Sequence, residues 1–334
     1  MADTIIDIYT HIFPERFFRE MTKVTPMMEN LGPRLRSITK LFDLDARFKE
    51  MDSLGDYRQI ISLPNPAIED IAKPDIGLQL ARLANDEMAE LCRKYPARFP
   101  AFAAALCLTA VDGSIAEARR AVKELGAAGV LIYTDVAGEP LDEKKFDPFF
   151  AAVAELDVVI WLHPSRTAAM PDYAAEKKSR FEMWWCLGWP YDTSVAMIRM
   201  VFCGLFDRYP NLRIVTHHLG GMIPFYDGRV GPGLKVLGAR TSDEDYSNIL
   251  PSLKRPHMDY LRDYYADTAM FGGGAHALRC GLEFFGADRV VFATDAPLGP
   301  IAPTIEAVKK LELAPADQRK LFCGNAEKLL KMTF

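Results

Sequence analysis

The sequence predicts an α/β protein, a (β/α)8 or TIM barrel with insertions over the carboxyl-terminal face of its strands. Eight short apolar runs alternate with longer segments that have helical periodicity. Strands that alternate with helices form a parallel sheet, and eight parallel strands close into a barrel. A doubly wound open sheet is the main alternative, but no glycine-rich phosphate loop follows the first strand. The 334 residues contain no flexible linker or charge block, so we expect one domain over residues 1–334.

Each predicted strand is a nearly continuous apolar run, which is typical of strands buried on both faces. The predicted strands cover residues 4–11, 57–64, 101–108, 128–135, 157–164, 212–219, 263–270 and 289–296. Helical patterns between them cover residues 75–95, 112–125, 146–156 and 193–209. Segments 14–45 and 165–192 are too long for simple βα turns, so we expect two insertions that cover the mouth of the barrel.

The composition is that of a globular protein, with 49% hydrophobic and 25% charged residues. The net charge is -5 and no stripe of Lys and Arg is present, which argues against a nucleic-acid partner. No apolar segment approaches the roughly 18 residues that span a bilayer, so we expect no membrane partner. The first residues lack the basic region of a secretory signal, and we expect a cytoplasmic protein. The six scattered cysteines form no CxxC pair and are expected to be reduced.

Four chemically active side chains lie at the ends of predicted strands. His11 ends the first strand, His163 the fifth and His218 the sixth, while Asp295 ends the eighth. The carboxyl ends of all strands in a TIM barrel meet at the face that holds the active site. Imidazole and carboxylate groups suit zinc and similar divalent ions, and a catalytic ion keeps one position open. The positions therefore predict a catalytic metal site.

Each of these residues also has a structural interpretation. A single histidine at a strand end is often a hydrogen-bonded core residue, and Asp295 is suited to begin a turn. The four residues together favour the metal site, because a structural role would require several independent coincidences. His217 precedes His218 on the same predicted strand. Because strand side chains alternate, we expect only one of the two histidines to reach the mouth and the other to be structural.

Several motifs in order resemble the amidohydrolase-2 branch of the amidohydrolase superfamily. They include IDIYTHIFP, VIWLHPS, LFDRYPNLRIVTHHLGGMIPFYDGRV, RVVFATDAPLG and LFCGNAEKLL. The pattern is similar to those of aminocarboxymuconate semialdehyde decarboxylases and γ-resorcylate decarboxylases. The resemblance extends over nearly the whole chain and implies a TIM barrel with a metal-dependent active site.

The resemblance implies roles for individual residues. His11, His163 and Asp295 match metal ligands, with Asp295 also able to act in proton transfer. His218, six residues before Pro224 and Phe225, matches the catalytic acid/base rather than His217.

The resemblance also implies how a substrate is held. Arg47 and Arg229 match arginines that bind a substrate carboxylate, for which a guanidinium is well shaped. Without the motif match, each arginine would be interpreted as a solvated helix residue. We interpret Trp185 and Trp189 as possible walls for a substrate ring, with packing beneath an insertion as the alternative.

Tyr9 departs from the pattern, because related sequences have His or Glu at the start of the strand-1 motif. Tyr9 and His11 are two residues apart on a strand and point the same way. The sequence leaves three interpretations of Tyr9 open. It ligates the metal as a phenolate, it hydrogen-bonds a metal-bound water, or it marks a chain that has lost the metal. We favour a retained metal with His11, His163 and Asp295 as its core ligands, since three protein ligands suffice for catalysis. The fourth predicted strand has no lysine for a second ion, so one ion is expected.

The sequence leaves three functions open. The first is non-oxidative decarboxylation of a small unsaturated or aromatic carboxylic acid by a carboxy-lyase. The second is hydrolysis of an amide, lactone or carbon–carbon bond, or hydration of a double bond, on the same metal. The third is a metal-free binding protein, which Tyr9 would explain.

We expect a single divalent ion, Zn²⁺ first and Mn²⁺ as the alternative, and a small carboxylate as the substrate. The resemblance further implies a homodimer in which Arg229 can reach the neighbouring site.

Overall fold

The computed structural model describes residues 4–25 and 28–334, and its centre is a ring of eight parallel strands. In chain order we label them β1 to β8: Ile5–His11, Tyr57–Ser62, Ala103–Ala104, Gly129–Tyr133, Val159–His163, Arg213–Thr216, Tyr265–Asp267 and Val290–Val291. A short antiparallel hairpin, Asp135–Val136 with Glu139–Pro140, follows β4.

Two parallel sheets join to close this ring. Strands β1 and β2 pair with Ile5 opposite Tyr57, and β3 to β8 form a continuous sheet in chain order. Parallel bridges from Thr10 to Ala296 and from Ile61 to Phe102 connect the two sheets at both edges. The predicted (β/α)8 barrel is therefore confirmed.

Most strands are shorter than the apolar runs that predicted them. The chain beyond β8 still follows β1, because the amide of Asp295 donates to the carbonyl of Tyr9 at 3.1 Å. Its regular pairing ends because the carboxylate of Asp7 accepts hydrogen bonds from the amide and hydroxyl of Thr294. Asp295 then adopts a left-handed conformation with φ of 65°. The Asp7 carboxylate thus takes the place of a backbone partner for Thr294, and the chain turns away from β1 at Asp295, where the site begins.

Helices cover the outside of the ring. Three of the four predicted helices are observed with nearly the expected bounds, at Pro74–Lys94, Val111–Lys123 and Asp147–Leu156. The fourth is divided into Gly188–Phe202 and Leu205–Arg208. Gly204 separates these two helices with φ of 72°, a conformation that glycine adopts at little cost.

Further α-helices lie in the connecting segments and near the carboxyl end of the chain. They are Glu15–Val24, Met28–Ser37, Leu44–Asp52, Ile68–Ile71, Met183–Cys186, Asp227–Leu234, Ile249–Ser252, His257–Asp263, Ala275–Phe285, Ile301–Lys309, Pro315–Arg319 and Asn325–Leu330. Short 3-10 helices occur at Thr39–Leu41, Lys144–Phe146 and His218–Gly220, and a π-helix at Lys320–Gly324.

The two long segments predicted as insertions follow β1 and β5. Because parallel strands share one direction, both segments begin at the carboxyl-terminal face of the barrel. The first, 14–45, contributes Phe17 and Met21 to the core from one helix face. The second, 165–192, contains the short helix Met183–Cys186 and the first turn of the helix Gly188–Phe202, in which Trp189 lies.

No helix among the described residues has both the length and the apolarity needed to cross a bilayer. All six cysteines are free.

Candidate metal centre and active site

The structure brings three of the predicted ligands together at the carboxyl ends of their strands. His11 ends β1, His163 ends β5 and Asp295 lies just beyond β8. With His217, which follows β6, they form a buried cluster whose ligand atoms all lie within 4.8 Å of one another. A His3Asp set of this size could hold one divalent ion.

The two adjacent histidines after β6 both reach this cluster, which corrects the expectation that only one would. Strand β6 ends at Thr216, and His217 is still extended, but His218 has φ of 51°. Strand alternation does not continue through a left-handed residue, so the two rings lie on the same side with centroids 3.7 Å apart. His217 is therefore a site residue as well as His218.

Each histidine of the cluster is oriented through its Nδ1 atom. Nδ1 of His11 donates to the carbonyl of Leu63 at 3.0 Å, and Nδ1 of His163 to the carbonyl of Pro164 at 2.7 Å. Nδ1 of His217 is 2.5 Å from a carboxylate oxygen of Asp267. A proton on Nδ1 leaves the lone pair on Nε2 free, which is the tautomer that binds a metal through Nε2.

Asp267 is a site residue that the sequence interpretation missed. It ends β7 in the structure, but the predicted strand extended to residue 270 and placed Asp267 inside the run, so the rule that strand ends carry function did not identify it. Its side chain is fully buried beside His217. Burial by itself lowers the pKa of His217, but the Asp267 and Asp295 carboxylates together outweigh it and raise that pKa to about 9.

Several residues in and beside the cluster have a buried polar atom without a hydrogen-bond partner among the described residues. These atoms are Tyr9 Oη, His11 Nε2, His217 Nε2, His218 Nδ1 and Asp295 Oδ1. His11 Nε2 lies 3.0 Å from Asp295 Oδ1, yet the two atoms are not aligned for a hydrogen bond. Because buried polar atoms are nearly always satisfied, such a group of donor atoms fits a cation.

The charges around the cluster also fit a cation. Burial raises the pKa of Asp295, but the neighbouring imidazoles of His11 and His217 reverse this and lower it well below its usual range. Burial, and then repulsion from His217 and His11, lowers the pKa of His163 well below 6.5. The cluster thus presents an ionised carboxylate beside a neutral imidazole, the forms that bind divalent metals.

Tyr9 is buried within the cluster, and its ring stacks on His217 with centroids 4.0 Å apart and planes at 21°. Burial, and then the negative charge of Asp267, raises the pKa of Tyr9 well above 10. The residues around Tyr9 therefore favour the neutral phenol.

His218 lies at the side of the cluster that faces Trp189. Their rings are nearly parallel, with centroids 6.1 Å apart, and Trp189 also meets His163 edge-on at 5.6 Å. Burial, and then the charge of His217, lowers the pKa of His218 to about 3, so its imidazole is neutral at physiological pH. Trp185 is one layer farther out, where it packs on Trp189 and Phe271.

Arg47 does not reach the site as a substrate clamp, and that prediction is corrected. Its side chain is 2% exposed, and its guanidinium donates to Gln59 at 2.7 Å, to the carbonyl of His11 at 2.6 Å and to Thr10 at 3.2 Å. All of these acceptors belong to the barrel wall. Arg47 fixes the backbone at the end of β1 and has a structural role.

Arg229 is exposed on the helix Asp227–Leu234, apart from the buried cluster. It lies near two exposed aromatic residues, Phe225 at 76% and Tyr226 at 42%. Exposed apolar side chains beside a guanidinium are typical of protein interfaces.

Comparison with known proteins places this geometry in a family. The Amidohydro_2 family, described as amidohydrolase, matches residues 6–332. A gamma-resorcylate decarboxylase from Rhizobium sp. (strain MTP-10005) is 32% identical, over 88% of this chain and 89% of its own. A 2-amino-3-carboxymuconate-6-semialdehyde decarboxylase from Dictyostelium discoideum is 27% identical, over 97% of this chain and 91% of its own.

Two solved structures are similar over nearly the full chain. A dihydroxybenzoic acid decarboxylase from Polaromonas sp. JS666, with bound manganese and 2-nitroresorcinol, has a TM-score of 0.81 and 29% identity, covering 99% of this chain and 97% of its own. A 5-carboxyvanillate decarboxylase from Novosphingobium aromaticivorans, with manganese and 4-hydroxy-3-methoxy-5-nitrobenzoic acid, has a TM-score of 0.84 and 26% identity, with the same coverage of both chains. The resemblance inferred from the motifs is thereby confirmed, and the chain belongs to the amidohydrolase family.

Proposed function

We propose that the protein is a metal-dependent decarboxylase that acts on a small aromatic or unsaturated carboxylic acid. The observation that carries the proposal is the buried cluster at the barrel mouth, in which oriented imidazoles and an ionised carboxylate meet. The relatives and solved neighbours named above are decarboxylases of such acids. This favours a lyase over the hydrolase or hydratase that the same ligands would also support.

His11, His163 and Asp295 would hold a divalent ion, which polarises a bound substrate oxygen as a Lewis acid. Nitrogen-rich ligand sets suit Zn²⁺, while the two solved neighbours hold manganese. We propose Zn²⁺ and Mn²⁺ as equal candidates, in place of the expectation that put Zn²⁺ first and Mn²⁺ second.

Decarboxylation replaces a C–COO⁻ bond with a C–H bond. The electron pair of the broken bond stays on the substrate carbon, CO2 leaves, and a proton must reach that carbon. We assign this proton movement to His218, because none of the residues that the structure describes pairs with its Nδ1 and its ring lies beside the cluster. We assign contact with the substrate ring to Trp189, because it is close to both His163 and His218.

Removal of the metal tests this function directly. Chelated protein is expected to release CO2 at less than about 1% of the rate of the metal-loaded protein, since a Lewis acid contributes several kcal/mol to the barrier. The measurement is CO2 release from a panel that includes 2,6-dihydroxybenzoate and 5-carboxyvanillate, before and after readdition of Mn²⁺ or Zn²⁺. Full activity after chelation would contradict the metal dependence, and hydrolysis of amides or lactones without CO2 would favour the hydrolase.

We further propose a homodimer in which Arg229 binds the substrate carboxylate in the partner's site. The exposed Phe225 and Tyr226 would be covered in that interface, and they directly precede the helix Asp227–Leu234 that carries Arg229.

Mixing two inactive variants tests whether Arg229 acts across the dimer. Arg229→Ala and His218→Gln are each expected to be inactive alone. Co-refolded in equal amounts, they are expected to regain about a quarter of wild-type activity, because half of the dimers are mixed and each has one intact site. A mixture that stays inactive, although sedimentation shows mixed dimers, would place Arg229 and His218 in the same chain's site.

A further inference from the structure

The two histidines that follow β6 differ in the hydrogen bonding of their Nδ1 atoms, and this difference distinguishes their roles. His217 is fully buried and its Nδ1 is paired with Asp267, whereas Nδ1 of His218 has no partner among the described residues. We propose that His217 is a metal ligand, so that His11, His163, His217 and Asp295 hold the ion and Tyr9 does not. The inference rests on the metal dependence proposed above and deepens it.

The orientation of His217 matches that of the other two histidines in the cluster. In all three rings, Nδ1 faces an oxygen acceptor outside the cluster and Nε2 is left for the centre. Nε2 of His217 is 3.6 Å from Oδ1 of Asp295, the carboxylate oxygen that also lies 3.0 Å from His11 Nε2. One carboxylate oxygen therefore faces two imidazole nitrogens, as expected where the three share an ion.

Asp267 gives His217 the support that a ligand needs. A buried carboxylate on Nδ1 fixes the ring orientation and increases the electron density at Nε2. Asp267 is itself held, because its second oxygen accepts the amide of Ala269 at 3.0 Å. His218 has no comparable support, which leaves its ring available for proton transfer.

The ring of Tyr9 packs against the ring of His217. The rings of Tyr9 and His217 are stacked face to face at 4.0 Å, while those of Tyr9 and His11 meet edge-on at 5.6 Å. The strand-1 position at which related sequences have His or Glu thus has an aromatic residue that lies against a histidine from another strand. A ligand lost from β1 is replaced by one from the end of β6.

Metal binding by single variants tests the assignment. His217→Ala is expected to weaken Mn²⁺ or Co²⁺ binding by at least about 100-fold, and Asp267→Asn by about 10–100-fold, the range for loss of an outer-shell partner. Tyr9→Phe and His218→Gln are the matched controls, and the metal Kd of each is expected to stay within about threefold of wild type because neither removes a ligand. Metal per chain, competition with a chelating dye and the visible spectrum of the Co²⁺ protein are the readouts.

The outcomes separate this inference from the proposed function. If His217→Ala binds metal as tightly as wild type, or if Tyr9→Phe loses it to the same extent as His217→Ala, the assignment of His217 is wrong while metal dependence stands. If the wild-type protein binds no divalent ion, both proposals fail. If His217→Ala does not fold, His217→Gln, which conserves volume, replaces it. An unchanged metal Kd for both single variants, His217→Gln and Asp267→Asn, overturns the inference.

Discussion

Replacement of His218 with glutamine is expected to lower kcat by about 10²–10⁴-fold while the bound metal stays in place. Glutamine keeps a polar side chain of similar length but cannot exchange a proton at neutral pH. Nδ1 of His218 has no hydrogen-bond partner in the part of the chain that the structure describes, and the His218 ring lies beside Trp189, to which we assigned contact with the substrate ring. The loss is therefore expected in the chemical step and not in substrate or metal affinity.

Single-turnover CO2 release, metal content and KM measured on one preparation check this expectation. His276→Gln is the matched control, because His276 is exposed and outside the cluster, and its kcat is expected to be that of wild type. A His218→Gln enzyme that keeps kcat within about threefold would exclude His218 as the proton-moving residue.

Replacement of Glu69 with glutamine is expected to stabilise the protein at alkaline pH by up to about 5 kcal/mol, since the pKa of Glu69 rises from 4.5 to about 8 on folding and each pKa unit corresponds to about 1.4 kcal/mol. Glu69 is 7% exposed, and its Oε2 atom has no hydrogen-bond partner among the described residues. Burial, and then the charges of Asp70 and Asp135, raises the pKa of Glu69 to about 8.

The direction of the pH effect follows from this raised pKa. In the unfolded chain Glu69 ionises near its ordinary value of 4.5, while in the folded protein it keeps its proton to about pH 8. The folded state binds more protons in this window, so its free energy of unfolding falls as pH rises from about 4.5 to about 8. Glutamine cannot ionise, and the variant loses this part of the pH dependence.

Urea unfolding of wild type and Glu69→Gln at several pH values between 4 and 9 is the measurement. The two free energies are expected to agree near pH 4 and to separate progressively up to pH 8. Asp7 and Asp192 also have raised pKa values, to about 7 and about 6, but they contribute equally to both proteins and cancel in the difference. Glu124→Gln, at an exposed position, is the control that should parallel wild type. If the free energies of unfolding of wild type and Glu69→Gln changed with pH in parallel, burial would not raise the pKa of Glu69 in the folded protein.

The sequence predicted those site residues that follow directly from the position of strand ends in a barrel. His11, His163 and Asp295 follow apolar runs, and a barrel brings all such positions to one face whatever the side chains between them. Asp267 was missed because the predicted seventh strand continued to residue 270, whereas the strand in the structure ends at Asp267. Arg47 was misassigned because a motif match cannot distinguish an arginine that binds a substrate from one whose donors are taken by the barrel wall.

By itself, the sequence determined the ring of strands and which residue types meet at the mouth, because hydrophobic periodicity and the alternation of strands with helices can be read along the chain. Its motifs determined the family. Tertiary structure decided how the residues at the mouth divide their roles. That division depends on the left-handed turn at His218, on the carboxylate of Asp267 from a neighbouring strand and on the stacking of Tyr9 against His217. Each of these joins residues that are distant in sequence or depends on a single backbone angle, and no pattern along the chain specifies either.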